Sequence, residues 1–348
     1  RVAMEAFAPR MLPALNALAD AFCVCDSWFS EVPGPTQPNR LYVHAATSFG
    51  NALNVWSQQF QGPTIYDQLS AEGKSWATYQ FDDNEVLEFT RLTDQKSSFR
   101  NYETAFASDV KSAALPNYSF ILPRFINDKQ GNMANSQHAP QDARYGDAFV
   151  ADVYEALVAN PALWQKTVLI VIYDEHGGFY DHIVPPATGI PNPDGIDSPP
   201  PGNKLSYAPS FAFDRLGFRV PAVIASPWIK AGRLDSTRYQ HTSVMATVRK
   251  LFGLKAKPLT KRDASASTFE ALFGELHAAR TDTPKSLPRP QLPATTVPVD
   301  HPGHPANQAL DATQRDVLHR AVALTRASHP DGPYYDALPT TQGEASEF

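Results

Sequence analysis

Cysteine is scarce in this sequence, and so are the long apolar runs that would place a chain in a membrane. The 348 residues include two cysteines, Cys23 and Cys25. They lie two residues apart in a strand-like segment, where a disulfide would close a small, strained ring, so we expect two thiols. No apolar stretch reaches the roughly 20 residues that a transmembrane helix needs. We therefore expect neither a covalent cross-link nor a membrane span.

An excess of basic charge is also missing. The chain has 30 basic and 36 acidic side chains and a formal net charge of −6. Nucleic-acid-binding surfaces usually carry clustered positive charge, so we predict no nucleic-acid partner. The acidity does not exclude a small anionic substrate, because a metal ion or a helix end can reverse the local field.

Segments with helical periodicity alternate with short apolar runs along most of the chain, which is typical of an α/β protein. The run 167–173 is apolar on both faces, as expected of a central strand in a parallel sheet. We therefore predict a three-layer α/β/α sandwich with a mainly parallel central sheet. The predicted helices are 11–20, 41–47, 64–72, 146–158, 242–252 and 311–327, and the predicted strands are 21–25, 76–80, 118–122, 167–173 and 220–226.

Proline is abundant, with 31 residues, and many of them follow Pro258. The alternation of helices and strands ends in the same region, and long ordered loops are expected there. We predict a catalytic domain over residues 1–285 and a Pro-rich C-terminal extension over residues 286–348 that contains one helix.

The strongest candidate for chemistry is the segment Asp174-Glu175-His176-Gly177-Gly178. It follows the clearest predicted strand, and ligands of open α/β sheets bind just beyond the carboxyl ends of strands. Two adjacent carboxylates repel each other unless a cation holds them, and hard divalent metals favour such oxygen ligands. The glycines permit a sharp turn close to a ligand. The alternative is a solvated acidic turn.

Thr36 is the second candidate, because it lies where a helix is expected to begin. Its hydroxyl could simply accept backbone N–H bonds as an N-cap. It could instead be a nucleophile, since a helix N-terminus favours a phosphate group and a bound metal can stabilise the alkoxide. Asn39 and Arg40 follow closely and could donate hydrogen bonds to phosphoryl oxygens.

Histidines are the third group of candidate residues for the predicted site. His138 stands in a polar loop and His241 at the start of the helix predicted at 242–252, while His176 lies in the acidic segment. Each could protonate a leaving alcohol or donate a hydrogen bond to a phosphoryl oxygen. A single loop histidine is more often a surface residue than a catalyst, so the position of each in the fold decides its role.

Several of these segments together resemble the bacterial phosphoesterase family that contains non-haemolytic phospholipases C and an acid phosphatase, with plant non-specific phospholipases C as relatives. The resemblance covers about residues 4–273 and its motifs occur in the expected order. They are residues 26–29 (DSWF), 33–40 (PGPTQPNR), 44–48 (HAATS), 137–138 (QH), 173–178 (YDEHGG), 185–186 (PP), 241–243 (HTS) and 262–264 (RDA).

The resemblance implies an alkaline-phosphatase-like fold and a phosphothreonine mechanism. It implies that Thr36 attacks phosphorus, that Asp174 and Glu175 bind one metal together with Thr36, and that His138 and His241 assist. The ligand types leave the metal open among Ca, Mg, Zn and Mn. The expected activity is metal-dependent hydrolysis of phosphate esters, with a phospholipid as a candidate substrate and transient contact with a membrane surface.

One departure from the family pattern concerns the metal site. Family members carry an N-terminal strand that ends in a Glu-Asn pair and completes the metal site, and residues 1–35 contain no match to it. We therefore expect an N-terminally truncated sequence that lacks this strand and these two ligands. The sequence also shows no signal peptide, although the family resemblance implies a secreted or periplasmic protein.

Three alternatives remain beside a phospholipase C. The first is an acid phosphatase acting on phosphomonoesters, which belongs to the same family by resemblance. A non-catalytic binding protein on the same fold would account for the missing ligand pair. A sulfatase relative is disfavoured, because sulfatases need a Cys or Ser that becomes formylglycine, and Thr36 cannot.

Overall fold

A computed structural model describes residues 2–55, 58–203, 208–293, 303–328 and 338–346 of the chain. Helices and strands alternate along it, so the predicted α/β class is confirmed. The strands are β1 (Cys23–Cys25), β2 (Trp28–Phe29), β3 (Trp76–Gln80), β4 (Phe99–Asn101), β5 (Tyr118–Ile121), β6 (Leu169–Ile172), β7 (Ala222–Ala225), β8 (Arg233–Asp235) and β9 (Tyr239–Gln240).

Helices occupy both the body of the chain and its C-terminal region. They are α1 (Pro13–Ala21), α2 (Thr36–Ala45), α3 (Ile65–Ala71), α4 (Ala107–Lys111), α5 (Ala143–Val158), α6 (Pro161–Trp164), α7 (Thr242–Phe252), α8 (Lys261–Ala264), α9 (Ala312–Ser328) and α10 (Gln342–Ser346). Among the described residues, no helix combines the length and hydropathy that a bilayer crossing requires. Cys23 and Cys25 are buried free thiols, as predicted.

Helix α2 begins earlier than the sequence predicted. The prediction placed it at 41–47, but the helix starts at Thr36, with Pro35 as its N-cap and Pro38 in its first turn. Proline is tolerated there because the N–H groups of a first turn have no partner within the helix. Thr36 is therefore the first helical residue rather than a residue before the helix, and its hydroxyl does not cap the helix.

The predicted mainly parallel central sheet is not what the largest described sheet shows. Its strand order is β6-β7-β1-β8, and β7 runs antiparallel to both of its neighbours. Only the β1–β8 pair in it is parallel. A separate three-stranded sheet, β4-β3-β5, is parallel throughout, and β2 pairs with β9 in parallel. Parallel pairing is therefore distributed over small sheets.

Strand β6 differs most from its predicted role as a central parallel strand. Within the described chain it is hydrogen-bonded to β7 alone, in antiparallel register, and all four of its residues are half-buried. An apolar run shows that both faces of a strand are packed. It does not encode the direction of the neighbouring strand or the number of paired edges, so this part of the prediction was wrong.

Apolar side chains pack on both faces of the strands. Alternate residues of β7 enter different clusters: Ala222 and Ile224 join one cluster, and Val223 and Ala225 join the other. The first cluster contains side chains of α2, α3 and α7, and the second contains side chains of α1 and α5. Helices thus cover both faces, which holds the ends of β1 and β6 in fixed positions relative to α2 and α7.

The C-terminal residues pack against the loop that follows β5. Leu122, Phe125 and Ile126 of that loop form an apolar cluster with side chains from the C-terminal region. Those side chains are Leu310, Val317, Leu318 and Ala345. The extension predicted at 286–348 therefore contains the predicted helix, as α9, and contacts the segment that leads to His138.

Candidate active site

A short loop ahead of α2 sets the position of Thr36. The fully buried Asn39 side chain accepts a hydrogen bond from the backbone N–H of Val32 at 3.0 Å. Its amide nitrogen donates to the carbonyl oxygens of Val32, Gly34 and Pro35 at 3.0 to 3.3 Å. We predicted that Asn39 contacts substrate, but its polar atoms are used by the loop. In the structure its role is to fix the chain that enters the helix.

Thr36 is half-buried at the start of α2. Within the described residues its hydroxyl has no hydrogen-bond partner. Arg40 follows four residues later, so the two side chains lie on the same face of the helix. This face presents a free hydroxyl at a helix N-terminus next to a guanidinium group, an arrangement that favours an anion.

The Arg40 guanidinium is held by a buried carboxylate. Its Nε and Nη2 atoms donate to Glu85 Oε1 at 2.9 and 2.6 Å. Burial opposes the charge on Arg40, but the carboxylates of Glu85 and Asp174 raise the pKa of the guanidinium above its usual value. Arg40 therefore stays charged and lies within electrostatic reach of the segment after β6.

The segment after β6 makes the sharp turn that its glycines predicted. Gly177 and Gly178 have φ values of 66° and 79°, in the left-handed region that other residues rarely adopt. The Asp174 carboxylate accepts from the Glu175 N–H at 3.0 Å, and Glu175 accepts from the Gly177 N–H at 2.7 Å. The two carboxylates are thus fixed by their own turn.

The two carboxylates differ in their electrostatic surroundings. Burial raises the pKa of Asp174, and the neighbouring charge of Glu175 adds to this effect, while Arg40 and His241 oppose it. Burial also acts to raise the pKa of Glu175, but the His176 ring, the Gly177 N–H and the charge of His138 together lower it. Asp174 is therefore the carboxylate that most lacks a neutralising partner.

His241 is fully buried and both of its ring nitrogens are used. Nδ1 accepts a hydrogen bond from the Trp28 indole N–H at 3.2 Å, so the ring proton resides on Nε2. Nε2 lies 2.7 Å from the backbone carbonyl oxygen of Asp174, to which it donates. Burial lowers the pKa of His241. We predicted proton handling for His241, but in this arrangement a neutral ring positions the Asp174 backbone.

His176 and His138 lie on the Glu175 side of the site. The His176 ring is 3.4 Å from the Glu175 carboxylate and stacks on Phe218 with a centroid separation of 4.5 Å. His138 Nδ1 is buried, and no described residue provides a hydrogen-bond partner for it. A buried ring nitrogen without a partner, within electrostatic reach of Glu175, indicates a missing partner such as a substrate group.

The structure thus brings the predicted residues together in two groups joined at Asp174 and Glu175. Arg40, Asp174 and His241 interact on one side, and Glu175, His176 and His138 on the other. Thr36 belongs to the first group through its position one turn before Arg40. A cavity of about 370 Å³ adjoins His176 at the carboxyl end of β1 and is lined also by Phe179, Tyr180 and Arg219.

A divalent metal fits this donor set in part. Asp174 and Glu175 supply hard oxygen ligands, and burial raises the pKa of Asp174, an effect that a bound cation would oppose. The free Thr36 hydroxyl is a third oxygen. The described residues contain no group of three or more His, Cys, Asp or Glu side chains that could hold a metal. Further ligands would have to come from elsewhere, such as water.

Sequence reasoning missed the charged residues that support the site. Glu85 holds Arg40, and the fully buried Glu31 accepts from the N–H of Thr242 at the start of α7 at 2.7 Å. Arg320 of α9 contacts the buried Asp83 and lies 4.0 Å from Glu85, the carboxylate that holds Arg40. The only sequence signal was acidic residues 82–88 interspersed with apolar ones, which also suits a surface turn.

The chain belongs to the phosphoesterase family. The model of that family, described as the Phosphoesterase family, matches residues 1–255. The match includes Thr36, the whole acidic segment after β6, and His241. The predicted family resemblance is therefore confirmed.

The chain is similar to several phospholipases C that are longer than it is. A non-specific phospholipase C of Arabidopsis thaliana is 40% identical over 92% of this chain and 61% of its own length. A second one from the same plant is 42% identical over 83% of this chain and 55% of its own length. Phospholipase C B of Mycobacterium tuberculosis is 31% identical over 84% of this chain and 60% of its own length. The chain therefore spans little more than half of the length of these relatives.

Proposed function

We propose that this protein is a phospholipase C-type phosphoester hydrolase with Thr36 as its nucleophile, on an alkaline-phosphatase-like fold. The observation that carries the proposal is the unbonded Thr36 hydroxyl at the N-terminus of α2, one turn before Arg40, whose charge interacts with Asp174. Family membership and the names of the relatives support the reaction class.

The proposed reaction has two displacement steps at phosphorus. In the first, Thr36 Oγ1 releases its proton to solvent water and forms a bond to phosphorus, and the bond from phosphorus to the alcohol oxygen breaks. His138 gives a proton to the leaving alcohol. In the second, His138 takes a proton from a water molecule whose oxygen forms a bond to phosphorus, the Thr36–phosphorus bond breaks, and the Thr36 oxygen regains a proton from solvent. Arg40 stabilises the charge on the phosphoryl oxygens throughout.

One divalent ion, Ca, Mg, Zn or Mn, would be held by Asp174, Glu175 and Thr36. When bound, it would supply positive charge that favours the alkoxide form of the hydroxyl. A cation at this position would also oppose the burial that raises the pKa of Asp174.

A phospholipid is favoured over a soluble phosphomonoester by the surface beside the site. Tyr180 is 63% exposed and Val184 is 84% exposed, and Ile183 lies between them. These apolar side chains follow directly on the Asp174–Gly178 segment, and such a patch suits transient contact with a lipid surface. Export to a secreted or periplasmic location is proposed on family resemblance alone.

Replacing the nucleophile tests the proposal. With added divalent metal, Thr36→Ala should lower hydrolysis by at least about 10³-fold, because the covalent route is lost. Thr36→Ser keeps a hydroxyl and should retain measurable activity. Quenched wild-type protein should gain at Thr36 the mass of the group that stays on phosphorus, which is phosphocholine with phosphatidylcholine and a phosphoryl group with a monoester, and Thr36→Ala should gain neither.

The products distinguish the candidate activities. Release of phosphocholine and diacylglycerol from phosphatidylcholine indicates phospholipase C, whereas release of inorganic phosphate from monoesters alone indicates an acid phosphatase. Full activity of Thr36→Ala would refute the nucleophile. No turnover of any ester by the wild type would favour a non-catalytic binding protein.

A further inference from the structure

Three carboxylates are buried in the turn that follows β3. Asp83, Glu85 and Glu88, which we call the acid cluster, are each less than a tenth exposed. Two guanidinium groups reach the acid cluster from different parts of the chain, Arg40 from α2 and Arg320 from α9. Burying this many charges is costly unless they are paired, so the arrangement calls for an explanation.

The contacts divide the acid cluster between the two arginines. The Arg320 guanidinium contacts Asp83, lies 3.0 Å from Glu88 Oε1, and lies 4.0 Å from Glu85 Oε2. Arg40 binds Glu85 through its other oxygen, Oε1, at 2.6 Å. Glu85 therefore lies between the two arginines, and it is the carboxylate that fixes the direction of Arg40.

Other groups around the acid cluster are neutral or connect it to the nucleophile. His44 lies 3.2 Å from Glu85, and burial lowers the pKa of its ring. Gln37, the residue after Thr36, donates to Glu88 Oε1 at 2.8 Å. The first turn of α2 is thus attached to the acid cluster at both Gln37 and Arg40.

The charge balance of the acid cluster depends on Arg320. Burial raises the pKa values of both Asp83 and Glu88, and the positive charge of Arg320 lowers them. Among the described residues, three buried carboxyl groups thus face the two guanidinium groups of Arg40 and Arg320. Without Arg320 the buried site would carry excess negative charge, and Arg40 would be attracted deeper into the acid cluster.

We propose that Arg320 is a positioning residue for the phosphoryl-transfer site: by binding Asp83 and Glu88, it leaves Glu85 to hold Arg40 on the face of α2 that carries Thr36. This inference rests on the proposed function. Arg320 lies outside residues 1–255, which the family model matches. The C-terminal region would therefore contribute to the site without touching substrate.

A double-mutant cycle between Arg320 and Arg40 tests the proposal in the full chain. Values of kcat/KM are measured with p-nitrophenyl phosphorylcholine for the wild type, Arg320→Met, Arg40→Met and the double variant. If Arg320 acts through Arg40, Arg320→Met should lower kcat/KM roughly 10- to 100-fold, because a small displacement of a binding group is costly. In the Arg40→Met background, the same change should cost less than about threefold.

Controls separate positioning from general damage. Arg315 lies on the exposed side of α9, and Arg315→Met should leave kcat/KM within about twofold. If Arg320→Met does not fold, the charge-balanced pair Asp83→Asn with Arg320→Met replaces it in the cycle. Equal losses in both backgrounds, or no loss in a folded Arg320 variant, would overturn the proposal.

Hydrogen exchange distinguishes failure of this inference from failure of the proposed function. If the wild type hydrolyses no ester, the proposed function fails. Amide hydrogen exchange of the wild type and Arg320→Met is then compared in place of kcat/KM. Faster exchange of the peptide 36–45 in Arg320→Met, with the peptide 242–252 unchanged, would still support positioning of α2. Unchanged exchange of the peptide 36–45 would contradict it.

Discussion

The buried histidines near the site differ in whether they have a free ring nitrogen. His241 and His44 each use both nitrogens, His241 with Trp28 and the Asp174 carbonyl, and His44 with Glu85 and Tyr66. His138 has a buried Nδ1 without a partner among the described residues. A group that transfers a proton needs an available nitrogen, so His138 is the strongest acid candidate.

Replacing His138 should therefore affect poor leaving groups most. We predict that His138→Gln lowers hydrolysis of an alkyl phosphate ester by about 10²-fold or more, because an alkoxide needs a proton as it leaves. Hydrolysis of a p-nitrophenyl ester should change far less, since that leaving group departs unprotonated. The measurement is kcat/KM for the two esters.

His182→Gln is a suitable control, because the His182 side chain is 74% exposed. It should leave both rates within about twofold. An equal loss for both esters in His138→Gln would contradict the acid role.

At the scale of single residues, the sequence predicted where the site residues lie better than it predicted what each side chain contacts. The acidic segment, Thr36 and Arg40 were identified from residue type and placement after a strand or before a helix. The roles of Asn39 and His241 were not predictable, because their partners are backbone atoms and an indole that only the fold brings near.

At the scale of elements, the loop before α2 depends on a single amide. Asn39 donates to three carbonyl oxygens and accepts from one N–H in a site with no access to water. The loop has no other described side chain with this many contacts to it. The amide therefore acts as the link that joins residues 32–35 to the first turn of α2.

Asn39→Asp preserves the shape of this side chain and removes its donors. We predict a loss of at least about 2 kcal/mol in the free energy of unfolding, because a carboxylate would then face three carbonyl oxygens. Urea denaturation measures the change. Asn101→Asp is the matched control, since the exposed Asn101 only accepts from Thr104 and should change stability by less than about 0.5 kcal/mol. Equal stability of both variants would contradict the role of Asn39.

The acid cluster predicts a pH dependence of stability. The pKa of Glu88 is about 8 in the folded chain, above the ordinary value of 4.5, because the side chain is buried. The folded state binds this proton more tightly than the unfolded state. The stability that results is fully present below about pH 4.5 and is lost as the pH rises through about 8.

Glu88→Gln should remove this dependence. Compared with the wild type, the variant should gain stability by a few kcal/mol between pH 5 and pH 9, because its side chain stays neutral. Chemical denaturation at several pH values measures the difference. A difference that does not vary with pH would mean that Glu88 is ionised throughout and paired with Arg320.

The sequence predicted some elements closely and missed others for identifiable reasons. The bounds of α7 and β3 were predicted correctly, since each has a clear period and a clear end. Helix α2 was placed five residues late, because prolines at its N-terminus hide its first turn. The antiparallel pairing of β6 was missed, since strand direction depends on distant partners.

At the scale of the whole molecule, one buried ion pair joins segments that are far apart in sequence. The fully buried Arg262 guanidinium lies 2.8 Å from the Glu31 carboxylate. It also donates to the carbonyl oxygens of Glu31, Pro191 and Phe213. Since Glu31 accepts from the start of α7, the pair connects α7, α8 and the loop before α2.

Arg262→Lys should show how much this connection contributes. An ammonium group keeps the charge but cannot replace a planar fork with four acceptors, so we predict a loss of about 3 kcal/mol or more in unfolding free energy. Denaturant titration measures it. The neighbouring Lys261 is exposed, and Lys261→Met should cost less than about 0.5 kcal/mol. A small loss in Arg262→Lys would mean that the charge alone suffices.

Strand β6 affects how the protein should be handled in solution. Its apolar residues are half-buried, and it has a single hydrogen-bonded neighbour among the described strands. A strand edge that no other described strand pairs can offer its N–H and C=O groups to an extended peptide of matching length. In concentrated solutions the same strand of another molecule can supply that peptide. Self-association of this chain should therefore begin at β6, next to the carboxylates of the proposed active site.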